Sequence, residues 1–156
     1  MDGTELADEL TRARADLIRA SDGMAASQFR LRPHDEEWSI VEVLAHLIDV
    51  DHHWLGQALA IHQEPDHVFV HFDDDRWKRE HAGMREMPVA EVMRALEQSH
   101  RAVIESLASM STAVLARAGR HPRGEPYTVA DVFRRYVAHD RAHTEQIASI
   151  RRRLGG

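Results

Sequence analysis

The chain has 156 residues, 43% of them apolar and 29% charged, which excludes a disordered or low-complexity polymer and suits one domain with a buried core, residues 1–156. It contains no cysteine, so disulfides, iron–sulfur clusters, thiolate zinc sites and a protein-borne thiol nucleophile are excluded. A net charge of −6 disfavours a nucleic-acid partner, and with no apolar run near the roughly 18 residues of a membrane span and no secretory pattern in MDGTELADEL, a cytoplasmic protein that binds neither nucleic acid nor membrane is expected.

From Thr4, a plausible N-cap, to about Ala20, Leu6, Leu10, Ala13, Leu17 and Ile18 repeat at the spacing of an amphipathic helix. A loop through Ser21, Asp22 and Gly23 leads to an extended approach, Phe29 to Pro33. Ser39 and Glu42 then form a capping box for a second helix, Ile40 to about Ile61. The stretch from Pro65 to Met87 reads as a long connection. It holds a short apolar run, Val68 to Phe72, and an acidic start to a short helix at Asp73-Asp74-Asp75, where capping and solubility are the ordinary roles. A connection of this length inside one domain is often a lid or binding loop. Pro88 suits the first turn of a third helix through Val92, Leu96, Val103 and Leu107, breaking near Ser109 and resuming through Leu115. Gly119 to Pro126 is turn-rich. Thr128 and Asp131 cap a last helix, Val129 to about Leu154, before Gly155-Gly156. Four long helices without a convincing sheet predict an all-α protein, a four-helix bundle with a long loop between helices 2 and 3.

Twelve histidines are the unusual feature of the composition. On the last helix the inward stripe reads Val132, Tyr136, His139, His143, Ile147, Ile150, Leu154, so two imidazoles one turn apart interrupt an apolar seam. Buried polar groups without partners cost about 1–3 kcal/mol each, and a metal ion shared by both rings removes that cost. The alternative is a pair of core histidines bonded to Asp49, Asp51 or Gln146. A third ligand is sought on the second helix, where His46 is best placed and His53, one heptad on, is the reserve; His52 points away with Asp49. Asp49, Asp140 and Glu145 are candidates to orient a ligand, with Asp49 the candidate orienting or base residue for catalysis. Trp54, Trp77 and Tyr136 read as packing aromatics, and His67, His71, His81 and His121 as loop residues.

Two motifs carry a resemblance. Trp38 to Asp49, WSIVEVLAHLID, resembles the second helix of the DinB/YfiT-like family. The run from Gly119 to Gly124, then Tyr127-Thr128-Val129, then His139 to Ile147, HDRAHTEQI, is similar to that family's last helix and the loop before it. The resemblance implies an up-down-down-up four-helix bundle and a divalent metal held by His46, His139 and His143. Three imidazoles leave positions open for water or substrate and suit zinc or nickel, with iron, copper or manganese behind. The implied activity is that of a metal-dependent enzyme on a small-molecule substrate, either a hydrolase or a transferase of a low-molecular-weight thiol. Without cysteine, that thiol must be diffusible. The resemblance also implies a homodimer, for which Val68 to Phe72 offers apolar material. The non-enzymatic alternatives are a metal-binding or stress-associated helical protein, and a helical interaction module whose histidines are incidental.

Overall fold

A computed structural model describes residues 2–81 and 83–155; Met1 and Gly156, the ends of the expected domain, lie outside the described residues. Four long helices dominate: α1 (Gly3–Arg19), α3 (Ile40–Gln63), α5 (Val89–Ala108) and α7 (Val129–Arg153). Between them lie the short helices α2 (Ala26–Phe29), α4 (Asp74–Glu80) and α6 (Thr112–Leu115), and a 3-10 turn at Met84–Glu86.

Local chemistry sets the ends of these helices. Ser39 and Glu42 cap α3 reciprocally, and Thr128 and Asp131 do the same for α7. The start of α1 differs from expectation. Its N-cap is Asp2, not Thr4, because Asp2 and Glu5 form a capping box of their own. Gly3 then sits in the first turn, where a Cβ would overlap the Leu107 carbonyl oxygen. Pro88 is the residue just before α5. The expected break near Ser109 and the resumption through Leu115 are both present, with α5 ending at Ala108 and α6 starting at Thr112.

Contacts at the helix ends fix their directions. The start of α1 touches the end of α5 at Leu107, so these two run oppositely. The end of α7 meets the end of α1 through Arg151, which donates to the Ala20 and Asp22 carbonyls. It also meets the segment before α3 through the Arg153–Glu37 ion pair. The far ends of α3 and α5 come together around Leu59, His62, Ser106 and Met110. The order is therefore up-down-down-up, with α1 beside α7 and α5, and α3 beside α5 and α7.

A small antiparallel hairpin replaces part of the loop expected at Gly119 to Pro126: β1 (Ala118–Arg120) pairs with β2 (Pro126–Thr128). Val68 adds a parallel bridge to Arg120. Gly119 permits this close approach, since a Cβ there would overlap the His67 carbonyl oxygen. Of the apolar run at 68–72, Phe69 is buried, whereas Val68 and Val70 are exposed.

The core falls into two apolar clusters, one around Leu10, Val50, Val103 and Phe133, the other around Leu17, Leu44, Leu96 and Ile147. Between them lies a buried polar layer with one residue from each long helix. Arg14 Nε donates to Asp140 Oδ2 at 2.8 Å, its Nη2 donates to Asp51 Oδ1 at 2.8 Å, and Ser99 Oγ donates to Asp51 Oδ2 at 2.6 Å. No described helix is long and apolar enough to cross a membrane.

Candidate metal centre

Because α3 and α7 run in opposite directions, His46, near the start of α3, meets His139 and His143, which straddle the midpoint of α7. One ring nitrogen from each of the three lies within 4.8 Å of one from each of the others. His139 Nε2 and His143 Nε2 are 3.0 Å apart, and the His46 ring centre is 5.6 Å and 5.4 Å from theirs. His46 is buried and the other two are partly so.

The donor set fits a cation. Gln146 Oε1 lies 2.6 Å from His143 Nδ1. An amide oxygen only accepts, so Nδ1 carries the proton and Nε2 presents a bare lone pair toward the other rings. His46 Nδ1 is buried without a hydrogen-bond partner. Burial, followed by the neighbouring His143, pushes the His46 pKa down to about 3. Burial and then His143 and His46 push His139 down to about 2. His143 is lowered as well, chiefly by burial. All three rings are therefore neutral near pH 7, the form that ligates a metal.

Aromatic side chains wall the site. Trp38 lies 4.7 Å from His46 by ring centres, Phe72 5.2 Å and Trp77 5.4 Å, while Trp54 lies 4.8 Å from His139. Trp54, Trp77 and Tyr136 are packing aromatics as expected, but the first two also border the imidazoles. Asp49 accepts a 2.6 Å hydrogen bond from Trp77 Nε1 and lies 3.7 Å from His81 Nε2. Its carboxylate thus ties α4 to α3. His53 Nε2 bonds the Val70 carbonyl and His52 is exposed. Asp140 belongs to the buried layer, and Glu145 is exposed.

Sequence reasoning left out several residues at the site. Asp74 Oδ1 lies 3.6 Å from His46 Nε2, although the acidic run containing it read as a cap; Asp73 is the cap. Arg135 and His71 line a cleft beside His139. The only local signal was the Arg135–His139 spacing of one helical turn. His71 and Asp74 reach the site through the path of the long connection.

The chain matches the DinB superfamily over residues 9–147. It belongs to the DinB superfamily. A solved structure, YfiT from Bacillus subtilis, has the same fold. It is 21% identical, with a TM-score of 0.81 over 98% of this chain and 87% of that one, and is described as a probable metal-dependent hydrolase with an unusual four-helix bundle topology. Among curated proteins no sequence matches. Within this DinB-type bundle, His46, His139 and His143 are the group of described residues that could hold a metal ion.

Proposed function

We propose that this protein is a metal-dependent enzyme acting on a small molecule, with His46, His139 and His143 holding one divalent ion, zinc or nickel ahead of iron or manganese. The observation that carries this reading is the convergence of three neutral imidazoles, on two helices, beside open clefts. The ion supplies Lewis acidity, which acidifies a water molecule or a thiol and polarises a carbonyl or phosphoryl oxygen. Gln146 holds His143 in the tautomer that leaves Nε2 free. Trp38, Phe72 and Trp77 exclude water from the His46 side. Asp74 Oδ1, at the mouth of the site, is placed to accept a proton from the attacking group. In this reading Asp49 is a positioning residue that keeps Trp77 against His46.

Hydrolysis is the first reading, in keeping with the description of YfiT. A specific feature favours thiol transfer as the second. A further cleft of about 510 Å³ opens on the other side of Asp74, lined by Trp38, Gln146 and Ser149 among others, so that two substrates have separate approaches. A cytoplasmic homodimer completes the proposal, with the exposed Val68 and Val70 as its apolar contact; sedimentation at micromolar concentration checks the assembly.

Metal analysis of protein purified without nickel resin tests the site. Near-stoichiometric metal that disappears in a His139→Ala, His143→Ala variant is expected. Native protein that neither carries nor takes up zinc or nickel overturns the proposal. Turnover of model esters and of an epoxide or chloroarene, each with and without added thiol, then separates the two reactions. A rate indifferent to thiol assigns hydrolysis, and no turnover with any of them leaves the non-catalytic metal binder.

A further inference from the structure

The cleft on the His139 side of the triad holds more than metal ligation requires. It encloses about 380 Å³ and is lined by Trp54, His71, Phe72, Asp74, Arg135 and His139. Arg135 stands four residues before His139 on α7 and so occupies the same face one turn away. Its guanidinium carbon lies 5.2 Å from the ring centre of Phe69, 5.7 Å from that of Tyr127 and 5.9 Å from that of Trp54, and its Nε donates to Tyr127 Oη at 2.8 Å. These contacts fix the guanidinium plane but use only one of its five N–H donors. Among the described residues, no acceptor or carboxylate pairs with its two terminal nitrogens.

We infer that this cleft takes a small-molecule carboxylate, with Arg135 receiving the carboxylate group while the reacting end of the same molecule reaches the imidazole triad. The location of that reacting end rests on the metal-site reading above; the anion site itself does not. A guanidinium already held by three rings loses little freedom on binding, and its terminal donors form the fork that a planar carboxylate fits. A phosphate dianion is the poorer match. Among the described residues Arg135 is the single permanent cation lining the cleft, and burial followed by Arg135 lowers the pKa of nearby His71, which leaves that ring neutral. The cleft is also polarised. Asp74 lies toward His46 at one end and Arg135 at the other, so an anion is directed away from the acidic edge. Trp54 and Phe72 offer ring surfaces to an apolar or flat body between the two ends.

Calorimetric titration of the whole protein, zinc-loaded and metal-stripped, with benzoate, benzamide and inorganic phosphate tests this. Benzoate is expected to bind at least about tenfold more tightly than benzamide in both metal states. In Arg135→Gln that preference disappears while zinc stoichiometry is unchanged. In Arg135→Lys, which keeps the charge but not the fork, it falls to less than about threefold. If Arg135→Gln does not fold, the lysine variant carries the test, and an undiminished preference there overturns the inference. A preference that survives Arg135→Gln, or tighter binding of phosphate than of benzoate, overturns it too. If zinc does not bind but the benzoate preference is present and depends on Arg135, the metal reading falls and the anion site stands.

Discussion

Gln146 accepts the Nδ1 hydrogen of His143 at 2.6 Å, and this contact decides which nitrogen of that ring faces His139 and His46. Partners behind a ligating histidine typically contribute a factor of about 10–100 to metal affinity. Gln146→Leu, similar in volume but without the oxygen, is therefore expected to weaken zinc binding about tenfold or more with the helix intact. Competition against a chromophoric chelator measures it, and an unchanged dissociation constant would show that Gln146 only packs. At this scale the sequence revealed those parts of the site that are local on a helix. His139 and His143 are one turn apart in an apolar seam, and Gln146 follows within another turn. His46 was legible through its face on α3, and the motif around it supported the choice. Asp74, His71, Trp54 and Arg135 were not legible as site residues. The path of the connection after α3 brings His71 and Asp74 to the imidazoles, and the packing of α3 against α7 brings Trp54 to His139; neither is written in a local spacing. For Arg135 the chain offered only its spacing of one helical turn from His139.

Among the elements, α4 is the one whose attachment bears most on the site, since it carries Trp77 and begins at Asp74. It has only seven residues, too few to be stable alone, so its position depends on anchors. Trp77 is buried against α3 and bonds Asp49 through Nε1, and His81 stacks on the Trp77 ring at 4.7 Å. Asp49→Ala is expected to release this end of the connection. Amides within 74–80 should exchange about tenfold faster, with a global loss near 1 kcal/mol. Hydrogen exchange by mass spectrometry reads the change, and undisturbed protection of α4 would mean that burial of Trp77 alone suffices. The four long helices were readable because periodicity and capping boxes are local signals, as at Ser39–Glu42 and Thr128–Asp131. The start of α1 was misplaced because Asp2 and Thr4 are both good caps, and the choice lies with Glu5 three residues after Asp2. The hairpin was missed because three-residue strands show no alternation, and it depends on Val68 from a distant segment.

Across the whole molecule, the buried layer of Arg14, Asp51, Ser99 and Asp140 joins all four long helices and holds α3 and α7 at the level where the imidazoles meet. Burial opposes the charge on Arg14, but the two carboxylates outweigh it and raise its pKa. Arg14→Met leaves two carboxylates facing each other in the core and should cost about 3–5 kcal/mol by urea denaturation; a loss under about 1 kcal/mol would mean that the layer rearranges freely. The same packing makes the metal-free fold acid-labile. Burial is the first cause of the lowered pKa values of His46, His139, His143 and His100, with His100 brought to about 4 by burial and then Arg14 against an opposing effect of Asp51. In the unfolded chain each of these rings titrates near 6.5. Below that pH the unfolded state binds protons that the folded state refuses, so stability falls as pH drops from about 6.5, and the His100 contribution is fully lost near pH 4. The raised carboxyls of Asp74 and Asp140, where burial leads, act in the opposite sense and temper the slope. The melting temperature of metal-free protein is therefore expected to decline steadily between pH 6.5 and 4. In His100→Asn, which lies outside the triad, the decline should be shallower over that interval. A melting temperature flat from pH 7 to 4, or a slope unchanged in His100→Asn, would mean that these rings accept protons without unfolding.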